Sequence, residues 1–373
     1  MFLKSQVACG FALVALVALG AESPGTRQPP ESPETLAARV DAVVRQAMDK
    51  QRIPGLSLAV IRDGRLVVAK GYGLANIELR VPAAPETVYQ IQSITKSFTA
   101  TGIMLLVEDG KVGLDHTIGT YLVGTPESWK AITVRHLLTH TSGIKDFINE
   151  PTANLRLDVT EEEVLRATAA RPLNFRPGDR YAYSNTNFHL LAMVIRKATG
   201  KSYGEFLRER IFKPLGMADT GVISLSEIIP NRAAGYAPAA NGWRNGDWIA
   251  PSILAYGGGG LRSTVLDMVK WDAALDSDRV LKKSSLEQMW TPAKLNNGQA
   301  TEYGFGWRVK RVGGHRCVAH GGAHSTGFST SLLRFLDDRL TVVVFSNGRD
   351  VPVERLARQV AGVFVPDLAP PEH

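Results

Sequence analysis

A serine and a lysine three residues apart, Ser93 and Lys96 in the stretch YQIQSITKSF, carry the first chemistry this chain offers. Three residues is close to one helical turn, so both side chains share a helix face. A serine hydroxyl is a poor nucleophile until a base takes its proton. A lysine serves as that base when burial or nearby positive charge lowers its pKa. The pattern occurs twice, because Ser142 and Lys145 repeat it in THTSGIK. Ser142 stands directly before Gly143 in a turn, which holds Lys145 in no fixed relation to it. Ser93 leads into a segment able to enter a helix, where its amide would join an anion-binding helix start. Ser93 is therefore the expected nucleophile.

Two further groups fit the same chemistry. Tyr183 and Asn185, in RPGDRYAYSNTNFHLLAMVI, are expected in a turn just before a helix. A tyrosine in contact with a lysine can exchange protons with it, and an asparagine amide can orient the lysine or a substrate carbonyl. His320, Gly321, Gly322 and Ala323 are expected at a strand end. Two glycines there let a substrate backbone approach closely, and a backbone amide could face its carbonyl oxygen.

Other patterns compete. Ala323, Ser325 and Gly327 match a variant of the α/β-hydrolase nucleophile elbow, which needs a helix after it; residues 328–335 read as a strand. His136 and His140 are four apart, as in zinc-binding helices, but Leu137 occupies the place of the glutamate base. Both read as packing or hydrogen-bonding residues. His315, His320 and His324 would not all face one way on a strand, so neither metal nor cofactor is expected. Tyr303–Trp307 and Gly257–Gly260 fit a cleft lining or, equally, a sheet edge and a tight turn. Asp267 and Trp271 read as structural helix residues.

The elements that must position these groups follow from periodicity. Apolar residues at helical spacing mark a helix over 35–48, and runs at 56–61 and 66–70 around Asp63-Gly64 mark a β-hairpin. A helix is expected from Ser93 through Leu106, stopped near Gly110. Residues 130–250 carry helical patterns at 133–139, 160–170, 187–199 and 203–211 without strong strand signals. After a helix over 263–275, strands are expected at 304–311, 316–320, 327–336 and 340–346, then a helix over 353–363. Consecutive strands imply an antiparallel sheet. A helical block over about 93–255 between its two halves implies an α+β fold with an inserted all-α subdomain, and a site at the seam.

Of 373 residues, 44% are hydrophobic and 21% charged, which is globular composition with room for a large core. The net charge of +7 is scattered, without the Lys/Arg runs or aromatic interleaving of a nucleic-acid binder. Lys4, the uncharged run from Val7 to Leu19 and small residues at Ala18, Gly20 and Ala21 match a secretory signal over 1–21. A flexible Pro/Ser/Glu-rich linker over 22–34, a catalytic domain over 35–365 and a tail over 366–373 complete the expected layout. Cleavage would remove Cys9, leaving Cys317 as a lone thiol in a strand-like stretch, a small core residue. The expected product is periplasmic or secreted, without stable membrane insertion.

The three groups together resemble the serine β-lactamase and penicillin-binding-protein superfamily, most closely its class C branch with the related esterases and D-amino peptidases. Ser93-x-x-Lys96 matches the first motif, Tyr183-x-Asn185 the second and His320-Gly321-Gly322 the position of the third. The similarity extends through IPGLSLAVIRDGRLVVAKGYG, ITVRHLLTHTSGI, KPLGMADT, GGGGLRSTVLDMVKW, YGFGW and FSNG, over roughly residues 35–365. It implies an acyl-Ser93 intermediate, proton movement by Lys96 and Tyr183, an oxyanion hole at the amides of Ser93 and Ala323, and deacylation by water. Antibiotic-hydrolysing members have Lys-Thr-Gly at the third motif. Here His320 and Gly321 replace the lysine and threonine, which removes a permanent charge and a hydroxyl. Hydrolysis of a small ester, peptide or cell-wall-derived substrate is thus expected over efficient β-lactam hydrolysis. Loops 146–156 and 237–251 would shape the acyl pocket. A non-catalytic wall-binding or regulatory relative is the other class to weigh.

Overall fold

The computed structural model describes Met1 and residues 32–148, 154–254 and 256–371. The expected signal segment after Met1, and the linker through residue 31, lie outside the described residues. The first element is α1 (Pro33–Gln51), so helix begins within the last residues assigned to the linker. Strands β1 (Gly55–Arg62) and β2 (Arg65–Asn76) form the expected hairpin. Asp63 and Gly64 sit at φ 52° and 73°, the left-handed pair that a two-residue type I′ turn requires. After β3 (Val81–Pro82) and β4 (Tyr89–Gln90), a 3-10 turn over Gln92–Ile94 runs straight into α2 (Thr95–Glu108).

The middle of the chain holds α3 (Val134–Leu138), α4 (Glu161–Ala169), α5 (Asn185–Thr199), α6 (Tyr203–Leu207) and α7 (Lys213–Leu215). It continues through β5 (Gly221–Val222), β6 (Tyr236–Ala239), β7 (Gly242–Asn245), α8 (Pro251–Leu254), β8 (Leu261–Ser263), α9 (Val265–Leu275) and α10 (Lys283–Met289). The last part is β9 (Arg308–Val312), β10 (His315–His324), β11 (Phe328–Phe335), β12 (Leu340–Ser346) and α11 (Val353–Phe364).

The large sheet is antiparallel, in the order β3-β2-β1-β12-β11-β10-β9. Alternate residues face opposite layers. Val342 and Val344 pack with α1 and α11, while Val343 and Phe345 pack with the mostly helical middle. Both faces are covered, so β11 and β12 are buried along their whole length; β12 reads as a mostly apolar run, whereas β11 buries Ser329, Thr330, Ser331 and Arg334 among its apolar residues. This is the expected α+β fold with its helical insertion.

Helix α2 is buried from Thr95 through Leu106, which sets Lys96 in the interior. Its hydroxyls are satisfied locally: Ser97 Oγ donates to the Ile94 carbonyl at 2.8 Å and Thr101 Oγ1 to the Ser97 carbonyl at 2.9 Å. Phe98 stacks on Trp271 with ring centroids 4.3 Å apart. Asp267 accepts from the Asp219 amide and the Thr220 hydroxyl, both at 2.9 Å. Both residues thus hold α9 in place, the structural role expected of them. Cys317 is a buried core thiol.

Several boundaries differ from the sequence reading. β9 begins at Arg308, not Gly304, because Gly306 turns at φ 72°, where an added Cβ would sit 2.5 Å from the Lys96 carbonyl oxygen. β10 continues to His324, so His320–Ala323 lie inside the strand opposite Leu332–Ser329 rather than at its end. α5 begins at Asn185, which places that residue in the first helical turn instead of before it. Hairpin β6–β7 occupies a stretch expected to lack strands. Beyond 365, Leu368 alone is buried, anchoring an otherwise mostly exposed tail over 366–371. Among the described residues no helix is long and apolar enough to cross a membrane.

Candidate active site

The packing that buries α2 leaves the Lys96 ammonium fully enclosed. Nζ lies 2.6 Å from the Gly258 carbonyl, 2.9 Å from Asn185 Oδ1 and 3.1 Å from Ser93 Oγ. An ammonium has three donors for these three acceptors. Without one proton, it can keep the bonds to Gly258 and Asn185 and turn a lone pair toward Ser93. Burial pushes its pKa down to about 7, against the opposing pull of the Asp146 carboxylate. A neutral amine facing a serine hydroxyl is thus well populated near neutral pH.

The residue before Ser93 is strained. Gln92 adopts φ 51°, a left-handed conformation that non-glycine residues keep only when their surroundings enforce it. Its amide donates to Thr326 Oγ1 at 3.2 Å and to Gln90 Oε1 at 3.3 Å. Gly322 of β10 lies directly on this turn. A Cβ there would sit 2.5 Å from the Ser93 nitrogen and 2.6 Å from Gln92 Cβ, so only glycine lets the strand lie this close.

Tyr183 reaches the same point from the chain just before α5, its ring centroid 4.7 Å from Lys96 Nζ. Burial raises its phenol well above the usual tyrosine range, with the hydrogen-bonded Ser93 hydroxyl opposing that rise. The ring packs on His140 at 4.3 Å between centroids. His140 Nδ1 accepts from the Ser184 amide at 3.2 Å, so this buried imidazole anchors the approach to Tyr183. Burial, then the Lys96 charge, hold it neutral, well below the usual histidine value. Asn185 donates through Nδ2 to Asp146 Oδ2 at 2.9 Å, completing a Lys96–Asn185–Asp146 relay.

His320 is only 2% exposed. Nδ1 lies 2.9 Å from the Gly321 carbonyl, an acceptor only, so Nδ1 carries the proton. Nε2 then accepts from the Tyr303 hydroxyl at 2.9 Å. Burial, with Lys96 as second cause, pushes its pKa down to about 3. The third group therefore presents no cation. Gly321 and Gly322 are half-buried and Ala323 is exposed.

The structure brings Ser93, Lys96, Tyr183, Asn185 and Gly322 together, with His320 behind them. The second Ser-x-x-Lys is elsewhere in role: Ser142 Oγ donates to Asn187 Oδ1 at 2.7 Å and accepts from the Ile144 amide at 3.1 Å, as a buried turn brace. Ser325 sits in the turn between two strands, not before a helix. His136 caps α3 by accepting from the Thr133 amide at 3.1 Å, and His315 Nδ1 lies 2.9 Å from Asp338. Among the described residues no three His, Cys, Asp or Glu side chains group as metal ligands. Sequence reasoning missed three contributors: Asp146, the positioning role of His140 and the Gly258 carbonyl. The Gly257–Gly260 run was the available signal for the last.

Residues 40–363 match the sequence model of the family described as Beta-lactamase. Penicillin-binding protein 4* of Bacillus subtilis (strain 168) is 32% identical over 318 residues, 80% of this chain and 69% of that protein. A D-aminopeptidase of Gluconobacter oxydans (strain 621H) is 31% identical over 321 residues. That match takes in 84% of this chain and 59% of the relative, so the chain spans about six-tenths of the relative's length. A D-amino acid amidase from Ochrobactrum anthropi SV3, solved with L-phenylalanine amide, superposes with a TM-score of 0.77 at 29% identity, covering 88% of this chain and 98% of that one.

Proposed function

The chain belongs to the beta-lactamase family, and from that premise we propose that it is a serine hydrolase that cleaves an ester or amide through an acyl-Ser93 intermediate. The observation that carries this reading is the Lys96 amine, with a pKa near 7, 3.1 Å from the Ser93 hydroxyl.

In the proposed reaction, neutral Lys96 takes the Ser93 proton as Oγ attacks the substrate carbonyl carbon. The oxyanion is held by the amides of Ser93 and Ala323, the latter on the strand that Gly322 lets lie against the nucleophile. As the intermediate collapses, Tyr183, a phenol at neutral pH, gives its proton to the leaving nitrogen or oxygen. The Lys96 ammonium then reprotonates the tyrosinate. Water repeats the sequence on the acyl-enzyme and releases the acid. Asn185 and Asp146 hold Lys96 in line, and no metal or cofactor enters the scheme.

The favoured substrates are small esters and D-aminoacyl amides or peptides. The similarity to the D-aminopeptidase and the D-amino acid amidase supports that class. So does the resemblance of the three motifs together to class C and its related esterases. A neutral, enclosed His320 offers no charge to a β-lactam carboxylate, so efficient β-lactam hydrolysis is not part of the proposal. Export rests on the leader-like composition of residues 1–21, and is tested by fractionating cells that express the full chain.

The direct test is labelling with a fluorophosphonate probe and mapping the modified peptide. Label on Ser93, lost in Ser93→Ala, is the expected result. Label on Ser142 or Ser325, or no label on folded protein, overturns the assignment. Turnover of p-nitrophenyl esters, D-phenylalanine amide and nitrocefin then ranks the substrate classes.

A further inference from the structure

The glycine run Gly257–Gly260, whose Gly258 carbonyl meets Lys96, is clipped to α2 at both ends. Thr99 Oγ1 donates to the Gly257 carbonyl at 2.7 Å, and Thr95 Oγ1 accepts from the Leu261 amide at 3.1 Å. Thr95 and Thr99 lie about one helical turn apart, on either side of Lys96 in sequence. Both are fully buried, so water does not compete for these bonds. The helix that carries the base thus holds the loop that receives it.

The Thr99 hydroxyl has one proton to give. The Gly257 carbonyl takes it at 2.7 Å, with the Thr95 carbonyl a longer alternative at 3.2 Å. The Tyr203 hydroxyl of α6, 2.7 Å from Thr99 Oγ1, is then the donor of that pair. A buried chain therefore runs from Tyr203 through Thr99 to Gly257, one residue before the carbonyl on Lys96. Gly257 is also held by contact: a Cβ there would meet the Phe188 carbonyl oxygen at 2.5 Å and Thr99 Cγ2 at 3.2 Å. Four glycines in a row have no side chain to hold their own backbone. The Gly260 amide closes the turn on the Tyr256 carbonyl at 2.9 Å. That bond sets the loop's shape, and Thr99 sets where the loop sits over Lys96. Of the three acceptors around Nζ, the Gly258 carbonyl is the nearest, at 2.6 Å.

We propose that Thr99 is a positioning residue of the Ser93 site, holding the Gly258 carbonyl on Lys96 through Gly257 and so aiming the lone pair of the amine at Ser93. This rests on the acyl-Ser93 reading, so one arm of its test needs no turnover. A carbonyl bonded to an ammonium favours the charged form over the amine. Loosening that carbonyl therefore lowers the Lys96 pKa. The other ionisable groups facing Lys96 are Asp146, which favours the charge, and Tyr183, His140 and His320, which stay neutral. Substitutions at Thr99 leave all four in place.

The first arm measures kcat and KM for p-nitrophenyl acetate from pH 5 to 9 on the parent, Thr99→Ser, Thr99→Cys and Thr99→Val, a series of falling donor strength. Thr99→Val lowers kcat at least about tenfold at pH 8 and leaves KM within about twofold. Its acid limb moves down by about half to one pH unit. Thr99→Cys falls between, and Thr99→Ser, which keeps the donor, stays within about twofold of the parent. An acid limb that stays put across the series, or a loss in Thr99→Ser equal to that in Thr99→Val, overturns the proposal. Where Thr99→Val does not melt cooperatively, Thr99→Cys takes its place in both arms. The second arm titrates Lys96 by NMR of its Cε and Nζ in Ser93→Ala, with and without Thr99→Val, the signal being assigned by its loss in Lys96→Arg. A titration that moves down with the valine supports the positioning role, and one that does not move overturns it. Ester turnover beside an unmoved titration sinks the role of Thr99 and spares the hydrolase. A moved titration in a protein whose parent cuts no ester and takes no label at Ser93 does the reverse.

Discussion

Asp146→Asn separates the two candidate bases. Asp146 and Lys96 are joined through Asn185 by two hydrogen bonds of 2.9 Å. Adding the width of the amide puts the charges about 7 Å apart, which at an effective dielectric of about 20 is worth about 2 kcal/mol. Partial exposure of Asp146 and salt reduce this to about 1–1.5 kcal/mol, or about one pH unit at 1.36 kcal/mol per unit. The sign follows from the charges. The carboxylate favours protonated Lys96, so its removal drops the lysine pKa below about 7. The active form is the neutral amine, so the acid limb of kcat/KM moves down by about one pH unit. The variant therefore gains on the parent at pH 6 and matches it at pH 8. Asparagine can still accept from Asn185, which keeps the geometry. The assay is kcat/KM for p-nitrophenyl acetate from pH 5 to 9, with circular dichroism to confirm the fold at each end. Overlapping acid limbs, or a limb that moves upward, would refute Lys96 as the base. A loss at pH 8 on top of the shifted limb would add a role in holding Asn185.

Three further outcomes follow from the geometry. Ser142→Ala should keep fluorophosphonate labelling and turnover, while costing about 1 kcal/mol in a urea unfolding series through the lost Asn187 bond. Gly322→Ala sets a methyl 2.5 Å from the Ser93 nitrogen, so kcat/KM falls at least about 100-fold in a protein that still melts cooperatively; retained turnover would mean the strand can move away freely. His320→Lys should lower the melting temperature, because an ammonium in a site 2% exposed costs several kcal/mol, and nitrocefin turnover should not improve.

The sheet was legible because its strands obey simple rules. Asp63-Gly64 announces the first hairpin, and β12 reads as a mostly apolar run because both its faces are covered. Ser93, Lys96 and Tyr183 could be named because their types and order are chemical. Asp146 and Gly258 could not. One acts through its distance from Lys96 along a hydrogen-bonded path, the other through a backbone carbonyl that every residue has. Hairpin β6–β7 was missed although Asn241-Gly242 is a strong turn signal, because only Tyr236 and Ala237 of its strands are buried. His320 was expected to end its strand because the glycines after it look like a terminus. They continue the ladder instead, and Gly322 is glycine because Ser93 lies against it.

The central strand has a consequence for how the molecule forms. β12 pairs with β1 on one side and β11 on the other, setting Ser346 opposite Leu56. The Ser346 hydroxyl reaches the Gly55 carbonyl across 291 positions of chain at 2.9 Å. Until residues 340–346 emerge from synthesis, β1 and β11 lack the strand that joins them. Such long-range closure is slow compared with helix formation, so Ser93 and Gly322 should meet late. A chain halted before Leu340 would carry every residue of the proposed catalytic set and still lack the frame that aligns them.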